Sequence, residues 1–319
     1  MKDQAFNSIE NFIHERSMLC FQGHKRQVLK SRLRERLARL DLSDFGAYLE
    51  LLKISRREES ALLDLVTTHE TFFFRNPAQF RFLMEKIIPA LEEERGQAVV
   101  RSWGGPVPVS PGSVMKLRVL CAGCSTGEEP YSVAMSLLET LRYPKAWDIE
   151  ILAGDLSKSC IESAEAGYYE DERLKGLPAD YLDRYTERRT GGVVVNDEVK
   201  RLVRFCPLNL GNIVNGEDFP CTGDGVAFDL IFCRNVMIYF SVETQQRLVD
   251  ALFNHLAPGG YLFTGDAEAL HIYDHDFRTV HDAGCLIYRK MGTREHGQAV
   301  WREGGAGREI GRGLAPPGR

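Results

Sequence analysis

The sequence predicts an α/β protein: a doubly wound sheet with a small antiparallel β-subdomain insert, preceded by an all-helical N-terminal domain. Three observations carry this. Residues 1 to about 92 place apolar side chains three and four apart, the helical period. From Lys116 onward, short apolar runs alternate with amphipathic segments, the pattern of a mainly parallel sheet covered by helices. At one junction, Leu117 to Ser132, an apolar strand runs through a glycine-bearing turn into a helix, as at nucleotide-type cofactor sites.

The elements follow in order. Helices are expected over 5–19, 24–40, 44–53, 56–66 and 77–94, with Asp41, Ser43 and Ser55 as caps or breakers. They form a helical domain over 1–95. The Gly- and Pro-rich stretch from Gly96 to Ser113 has no helical period and reads as a linker, 96–114. The sheet domain spans 115–290, with strands at 117–121, 149–153, 228–233, 260–264 and 284–289. An insert at about 188–206 pairs Gly192–Val195 with Glu198–Phe205 as a hairpin across Asn196-Asp197. The tail, 291–319, has too few apolar residues to bury a core and is expected to be disordered.

Composition narrows the class. The chain has 319 residues, 44% hydrophobic and 27% charged, with a net charge of −5, enough for one large α/β domain and a smaller one. It has no apolar stretch of membrane-spanning length and Met1-Lys2-Asp3-Gln4 opens no signal core, so a cytoplasmic location without membrane insertion is expected. Most of the eight cysteines lie in apolar segments, as core residues do in a reducing compartment. Cys121 and Cys124 form a C-x-x-C, but Cys121 ends a strand and there is no second pair, which argues against redox or zinc roles.

The turn Cys121-Ala122-Gly123-Cys124-Ser125-Thr126-Gly127-Glu128-Glu129-Pro130 decides the ligand class. Gly123 and Gly127 permit tight backbone geometry or close ligand approach. Ser125 and Glu128 have capping-box spacing, and Pro130 fits a first helical turn. A pyrophosphate wants bare amides behind G-x-G-x-x-G, whereas this turn presents two carboxylates, which repel phosphate. They suit a ligand bearing an ammonium and a sulfonium, favouring S-adenosylmethionine over a nicotinamide dinucleotide. The alternative assignment makes both glutamates complements of the helix dipole.

Other clusters accompany the turn. Asp155 ends the second strand, where doubly wound sheets offer an acid to ribose hydroxyls; it also has the position of a helix cap. Phe228 to Phe240 is a buried strand followed by Arg234-Asn235, with Asn235 at the ligand-binding edge and Arg234 available for an ion pair. Thr67 to Arg75 packs polar groups, three phenylalanines and a cation between helices. At least two of those phenylalanines belong in the core, and Arg75 is suited either to gripping a carboxylate or to pairing with Glu70. Within 24–40, Lys25, Arg26, Lys30, Arg32, Arg34, Arg36 and Arg39 stand against the single Glu35, with Leu29, Leu33, Leu37 and Leu40 on one face. That density suggests docking to an acidic protein helix rather than nucleic acid.

Taken together, Thr67–Arg75, the STGEEPYS turn, Asp155, Leu208-Asn209-Leu210 and FCRNVMIYF resemble the CheR family of chemotaxis-receptor methyltransferases, over residues 10 to 290. The resemblance implies a class I methyltransferase (Rossmann-like) sheet. It implies methyl transfer from S-adenosylmethionine to receptor glutamates, leaving S-adenosylhomocysteine, with no metal. Its cofactor positions fall on His69, Thr71, Arg75, Glu129, Asp155, Asn209, Leu210, Asn235 and Val236; Arg75 and Tyr239 are implied to position the reacting groups. His69 stands where the family more often has asparagine. Substrate docking falls to Lys25, Arg26, Lys30, Arg32, Arg36 and Arg39 against the helical bundle of a methyl-accepting receptor. Thr190-Gly191-Gly192-Val193 is short beside the β-loop of members that bind a receptor's C-terminal pentapeptide, so no such tether is expected. Three alternatives stay open: a nicotinamide oxidoreductase, a methyltransferase of small molecules or nucleic acid, and a non-catalytic S-adenosylmethionine-binding module.

Overall fold

The computed structural model describes residues 2–103, 115–222, 225–282 and 284–292. Four helices open the chain: α1 (Lys2–Ser17), α2 (His24–Arg39), α3 (Phe45–Ile54) and α4 (Arg56–Val66). Asp44 starts α3 by accepting the amides of Gly46 and Ala47 at 2.8 and 3.0 Å, and Ser55 starts α4 by accepting that of Glu58 at 3.2 Å. After a loop, α5 (Pro77–Phe82) passes through a π turn into α6 (Ile88–Trp103).

The rest alternates: β1 (Met115–Ala122), α7 (Glu128–Thr140), β2 (Trp147–Asp155), α8 (Lys158–Ala166), β3 (Tyr168–Glu170), α9 (Ala179–Tyr185), β4 (Thr186–Arg189), β5 (Gly192–Val195), α10 (Asp197–Lys200), β6 (Val203–Pro207), α11 (Leu210–Val214), β7 (Phe228–Cys233), α12 (Val242–His255), β8 (Leu256–Thr264), β9 (Phe277–Asp282) and β10 (Cys285–Lys290). The main sheet has the order β6-β2-β1-β7-β8-β10-β9. Its first five strands are parallel and β10 runs antiparallel to both neighbours. Consecutive connections leave β1 toward β2 on one side and return to β7 on the other, so a crevice opens at the carboxyl ends of these three strands.

Each face of the sheet has its own core. On one, Leu120, Leu152, Ile231 and Leu262 join Ile9, Ile13, Leu33, Tyr48 and Val66, so the first four helices share a continuous core with the sheet. On the other, Val119, Ile151, Leu230 and Phe263 meet Val133 and Leu137 of α7, Phe80 of α5 and Ile87. Helices α5 and α6 thus cover the sheet, whereas the sequence grouped residues up to 95 with the first helices.

Three expectations are corrected. The helix does not stop at Gly96 but continues to Trp103; glycine inside a helix costs only about 1 kcal/mol, which its helix-forming neighbours offset. Residues 104–114, the remainder of the linker, and 293–319 of the tail lie outside those described. The hairpin partner of β5 is β4, with β3 on its other edge. Glu198 sits instead in α10, capped by Asn196, and Val203–Pro207 pairs in parallel with Ile151–Asp155 as the edge of the main sheet. Alternation alone could not say which sheet β6 would join. Among the described residues no helix is long and apolar enough to cross a membrane.

Candidate active site

A cleft lies at the carboxyl ends of β1, β2 and β7, roofed by residues 66–75 and by Ser17 and Leu19 at the end of α1. The loop after β1 is its floor. The amides of Gly123 and Cys124 donate to the Gly154 carbonyl at 2.8 and 2.9 Å, fastening the loop to β2. A Cβ on Gly123 would stand 2.3 Å from Val236, so only glycine lets the two loops meet. The expected capping box does not form. Gly127, at φ 97°, is the N-cap of α7, while Ser125 takes a left-handed φ of 49° and donates its amide to Asp155 Oδ2 at 2.8 Å. With Asp155 already bound to the loop, Ser125 is pulled away from the helix it was expected to cap. Its buried hydroxyl has no partner among the described residues and lines the cleft.

The two adjacent glutamates separate in role because α7 turns about 100° per residue. Glu128 is fully buried and pairs with Thr126 and Arg173, away from the cleft. Glu129 lines the cleft and accepts Arg234 Nη1 at 2.8 Å. Burial pushes the Glu129 carboxyl up from its ordinary range, against the opposing pull of Arg234. Asp155 is likewise raised by burial, opposed by the amides of Ser157 and Ser125. Asp155 caps no helix: α8 is capped by Ser157, which accepts from Cys160 at 3.2 Å. Burial also holds the Cys121 and Cys124 thiols well above their usual range, so neither is a thiolate at neutral pH.

Of the predicted cofactor residues, Thr71, Arg75, Glu129, Asp155, Asn209, Leu210, Asn235 and Val236 line this one cleft, and so does Tyr239. His69 does not. Its ring turns the other way, with Nε2 near the Asp64 carbonyl and the Thr67 hydroxyl and Nδ1 at 2.9 Å from Cys160 Sγ, tying the roof to α8. Arg75 is not paired with the Glu70 carboxylate: its Nη1 donates to the Glu70 carbonyl at 2.9 Å. Phe73 and Phe74 are core residues, leaving Phe72 alone of the three on the cleft.

Two residues surpass their sequence reading. Arg234, read as available for an ion pair, is buried and spans Glu129 and the Arg75 carbonyl. Glu268 was missed. Its buried carboxylate accepts the amides of Asn235 at 2.6 Å, Gly265 at 2.8 Å and Ile238 at 3.3 Å, holding Asn235 at a left-handed φ of 61°. The available signal was an acid just past the carboxyl end of an apolar strand.

Most of the predicted docking cations are engaged within the protein. Arg36 makes a two-pronged pair with buried Glu58 at 2.8 and 2.6 Å, and Tyr48 donates to the same carboxylate. Arg32 donates to the carbonyls of Leu65 and Thr67, Arg26 binds Glu10 and Asn7, and Lys30 lies over the Phe6 ring. Lys25 contacts Ile238 and Tyr239. Arg39, and Arg34 beside the set, keep exposed side chains. A helix reused to hold its neighbours presents less free charge than its sequence suggests.

Residues 69–284 match the family model described as "CheR methyltransferase, SAM binding domain", and residues 4–67 match "CheR methyltransferase, all-alpha domain". The chain belongs to the CheR methyltransferase family. It is 36% identical over 275 residues to the chemotaxis protein methyltransferase of Escherichia coli, covering 84% of this chain and 85% of that protein. Identity to chemotaxis protein methyltransferase 1 of Pseudomonas aeruginosa is 30% over 291 residues, covering 89% and 97%. The second such protein of Vibrio cholerae is 29% identical over 271 residues, covering 84% and 86%. This CheR-family protein is thus an S-adenosylmethionine-dependent methyltransferase with a class I sheet. Its cleft is compatible with that cofactor: Glu129 and Asp155 line it alongside Glu70, Arg75 and Arg234, offering partners to a ligand that carries both charges, and the buried Ser125 hydroxyl in its floor has no hydrogen-bond partner among the described residues.

Proposed function

We propose that this enzyme esterifies glutamate side chains on the helical cytoplasmic bundle of methyl-accepting chemotaxis receptors. The observation that carries this reading is the joint construction of the cleft. Acidic residues from the sheet edge face Arg75 and Phe72 of the roof, and the roof is continuous with the helical domain bearing exposed Arg34 and Arg39. The bound cofactor supplies a methyl group already activated on a sulfonium. A glutamate is ionised at neutral pH, so no residue has to remove a proton. The protein's work is to orient and to exclude water, and well-oriented reactants gain ~7–11 kcal/mol from proximity. Arg75 orients the substrate carboxylate without gripping it, since a tight ion pair would hold back the attacking oxygen. Tyr239 bounds the same space. Thr71, Glu129, Asp155, Asn209, Leu210, Asn235 and Val236 hold the cofactor.

The hairpin between β4 and β5 turns in two residues, Thr190 and Gly191, which supports an enzyme that meets its receptor without a pentapeptide tether. Purified protein incubated with methyl-labelled cofactor and a receptor cytoplasmic fragment should deposit label that mild base releases as methanol. Label that survives base, or label on the fragment after its glutamates are replaced by glutamine and alanine, overturns the reading.

A further inference from the structure

Residues 19–25 of the helical domain are stitched to residues 238–240 beside the cleft. Leu19 and Phe240 form an antiparallel bridge, and the Cys20 amide donates to the Tyr239 carbonyl at 2.8 Å. One turn into α2, Lys25 Nζ donates to the Ile238 carbonyl at 2.7 Å and stands 4.7 Å from the centre of the Tyr239 ring. A small groove of Phe21, Val28, Leu29 and Val66 adjoins this contact. The amides of Asn235 and Ile238 in the Asn235–Tyr239 loop are fixed from the sheet side by Glu268. The Ile238 and Tyr239 carbonyls are held from the other side, by Lys25 of α2 and the Cys20 amide.

We infer that Lys25 is a positioning residue for Tyr239, rather than one of the cations that contact the receptor. An ammonium held against both a carbonyl and the face of the next ring fixes that ring in two ways, by a charge-assisted hydrogen bond and by a cation–π contact. Lys25 is thereby committed to the protein. It also joins the receptor-facing helix to the reaction space, so α2 sets the aim of Tyr239 as well as the approach of the substrate. This rests on the proposed role of Tyr239 in placing the glutamate, and the experiment separates the two claims.

The test is a double-mutant cycle of Lys25→Met and Tyr239→Ala, read with a receptor fragment at low and high salt, with Lys25→Gln and Lys25→Arg alongside. Lys25→Met and Lys25→Gln are expected to lower kcat about tenfold, the loss of one charge-assisted hydrogen bond. KM for the fragment, affinity for S-adenosylhomocysteine and the salt response should be unchanged. Lys25→Arg, which keeps a cationic donor able to lie over the ring, should restore at least half the rate. In the Tyr239→Ala background Lys25→Met should change kcat less than twofold, because the group it acts through is gone. A salt-dependent rise in KM, or an undiminished effect of Lys25→Met in the Tyr239→Ala background, assigns Lys25 to docking and overturns the inference. Wild-type rates in Lys25→Met also overturn it. Wild-type rates in Tyr239→Ala remove the underlying role of Tyr239 instead.

Discussion

Arg234 reaches from the end of β7 to Glu129 on α7, donating Nη1 to the Glu129 carboxylate at 2.8 Å while Nη2 donates to the Arg75 carbonyl. One buried cation therefore holds both an acid of the cleft and the backbone of Arg75. Removing it leaves Glu129 as an uncompensated buried charge, a loss of about 3–5 kcal/mol when one partner is deleted. Arg234→Ala is expected to melt several degrees lower and to bind S-adenosylhomocysteine at least tenfold more weakly by calorimetry. An unchanged affinity contradicts the arrangement.

Arg75 presents the opposite case. Among the described residues its side chain makes one hydrogen bond, to the Glu70 carbonyl, beside a contact over the Phe72 ring, and it is only partly buried, so little of the fold depends on that side chain. Arg75→Ala should lower kcat/KM for a receptor fragment by about a hundredfold, the scale of a misplaced reactant, with the melting temperature nearly unmoved. Wild-type turnover would refute its orienting role.

Glu268 does not line the cleft, yet its carboxylate fixes the backbone of Asn235, which does. A Cβ on Gly265 would lie 2.7 Å from both Glu268 Oε2 and Asn235 Nδ2, a measure of how tightly the three are fitted. Glu268→Ala leaves three amides without their acceptor and should weaken cofactor binding by roughly tenfold or more, given about 1–3 kcal/mol for each unsatisfied buried group. Glu268→Gln, which keeps one acceptor oxygen, should lie between the two. Equal binding by all three forms would detach the loop from the site.

The cations of α2 divide into structural and free. Burial raises the Glu58 carboxyl, but hydrogen bonds from Arg36 and Tyr48 outweigh it and leave it below its usual range. The stability from that pair is present above the unfolded carboxyl range and is lost as pH falls through the lower, folded one. Arg36→Ala should cost about 2–4 kcal/mol, less than a fully buried pair because Arg36 is partly exposed, and the loss should shrink in acid. The double reversal of Arg34 and Arg39 to glutamate should leave melting within a few degrees and raise KM for an acidic receptor fragment, most at low salt. Unchanged KM with normal cofactor affinity ends the docking proposal for this helix.

The pH response of binding follows from the two raised carboxyls. Glu129 and Asp155 titrate above the ordinary range because they are buried, so in the free enzyme the stability linked to them is greatest in acid and lost as pH rises through their folded values. A positively charged ligand favours their ionised forms and reverses the preference. Affinity for S-adenosylmethionine should therefore fall as pH is lowered through the raised, folded range of these carboxyls, accompanied by proton release on binding there. Calorimetry in buffers of different ionisation enthalpy measures both, and a flat affinity across that range would show that neither acid carries the charge.

Much of this was legible in the residues. The strand–turn–helix at 117–137 and the acid at 155 were readable because their signals are local: an apolar run, a glycine and a carboxylate a few positions apart. The first four helices were readable for the same reason. Val203–Pro207 was misassigned because a short alternating run has no address until a neighbouring strand accepts it, and here β2 did so 52 residues upstream in the chain. The capping box failed because Asp155, distant in sequence, claimed the Ser125 backbone.

The sequence by itself determined the class of chemistry: a doubly wound sheet, carboxylates where a phosphate cannot sit, and an arginine beside aromatic bulk. Only the tertiary structure decided which charges are free. Whether Arg36 meets a receptor or Glu58, whether His69 faces the cleft or Cys160, and which acid Arg234 pairs with depends on partners many residues away. The physical reason is burial. A charged group removed from water must find its counterpart inside the protein, and that counterpart is set by packing rather than by spacing along the chain.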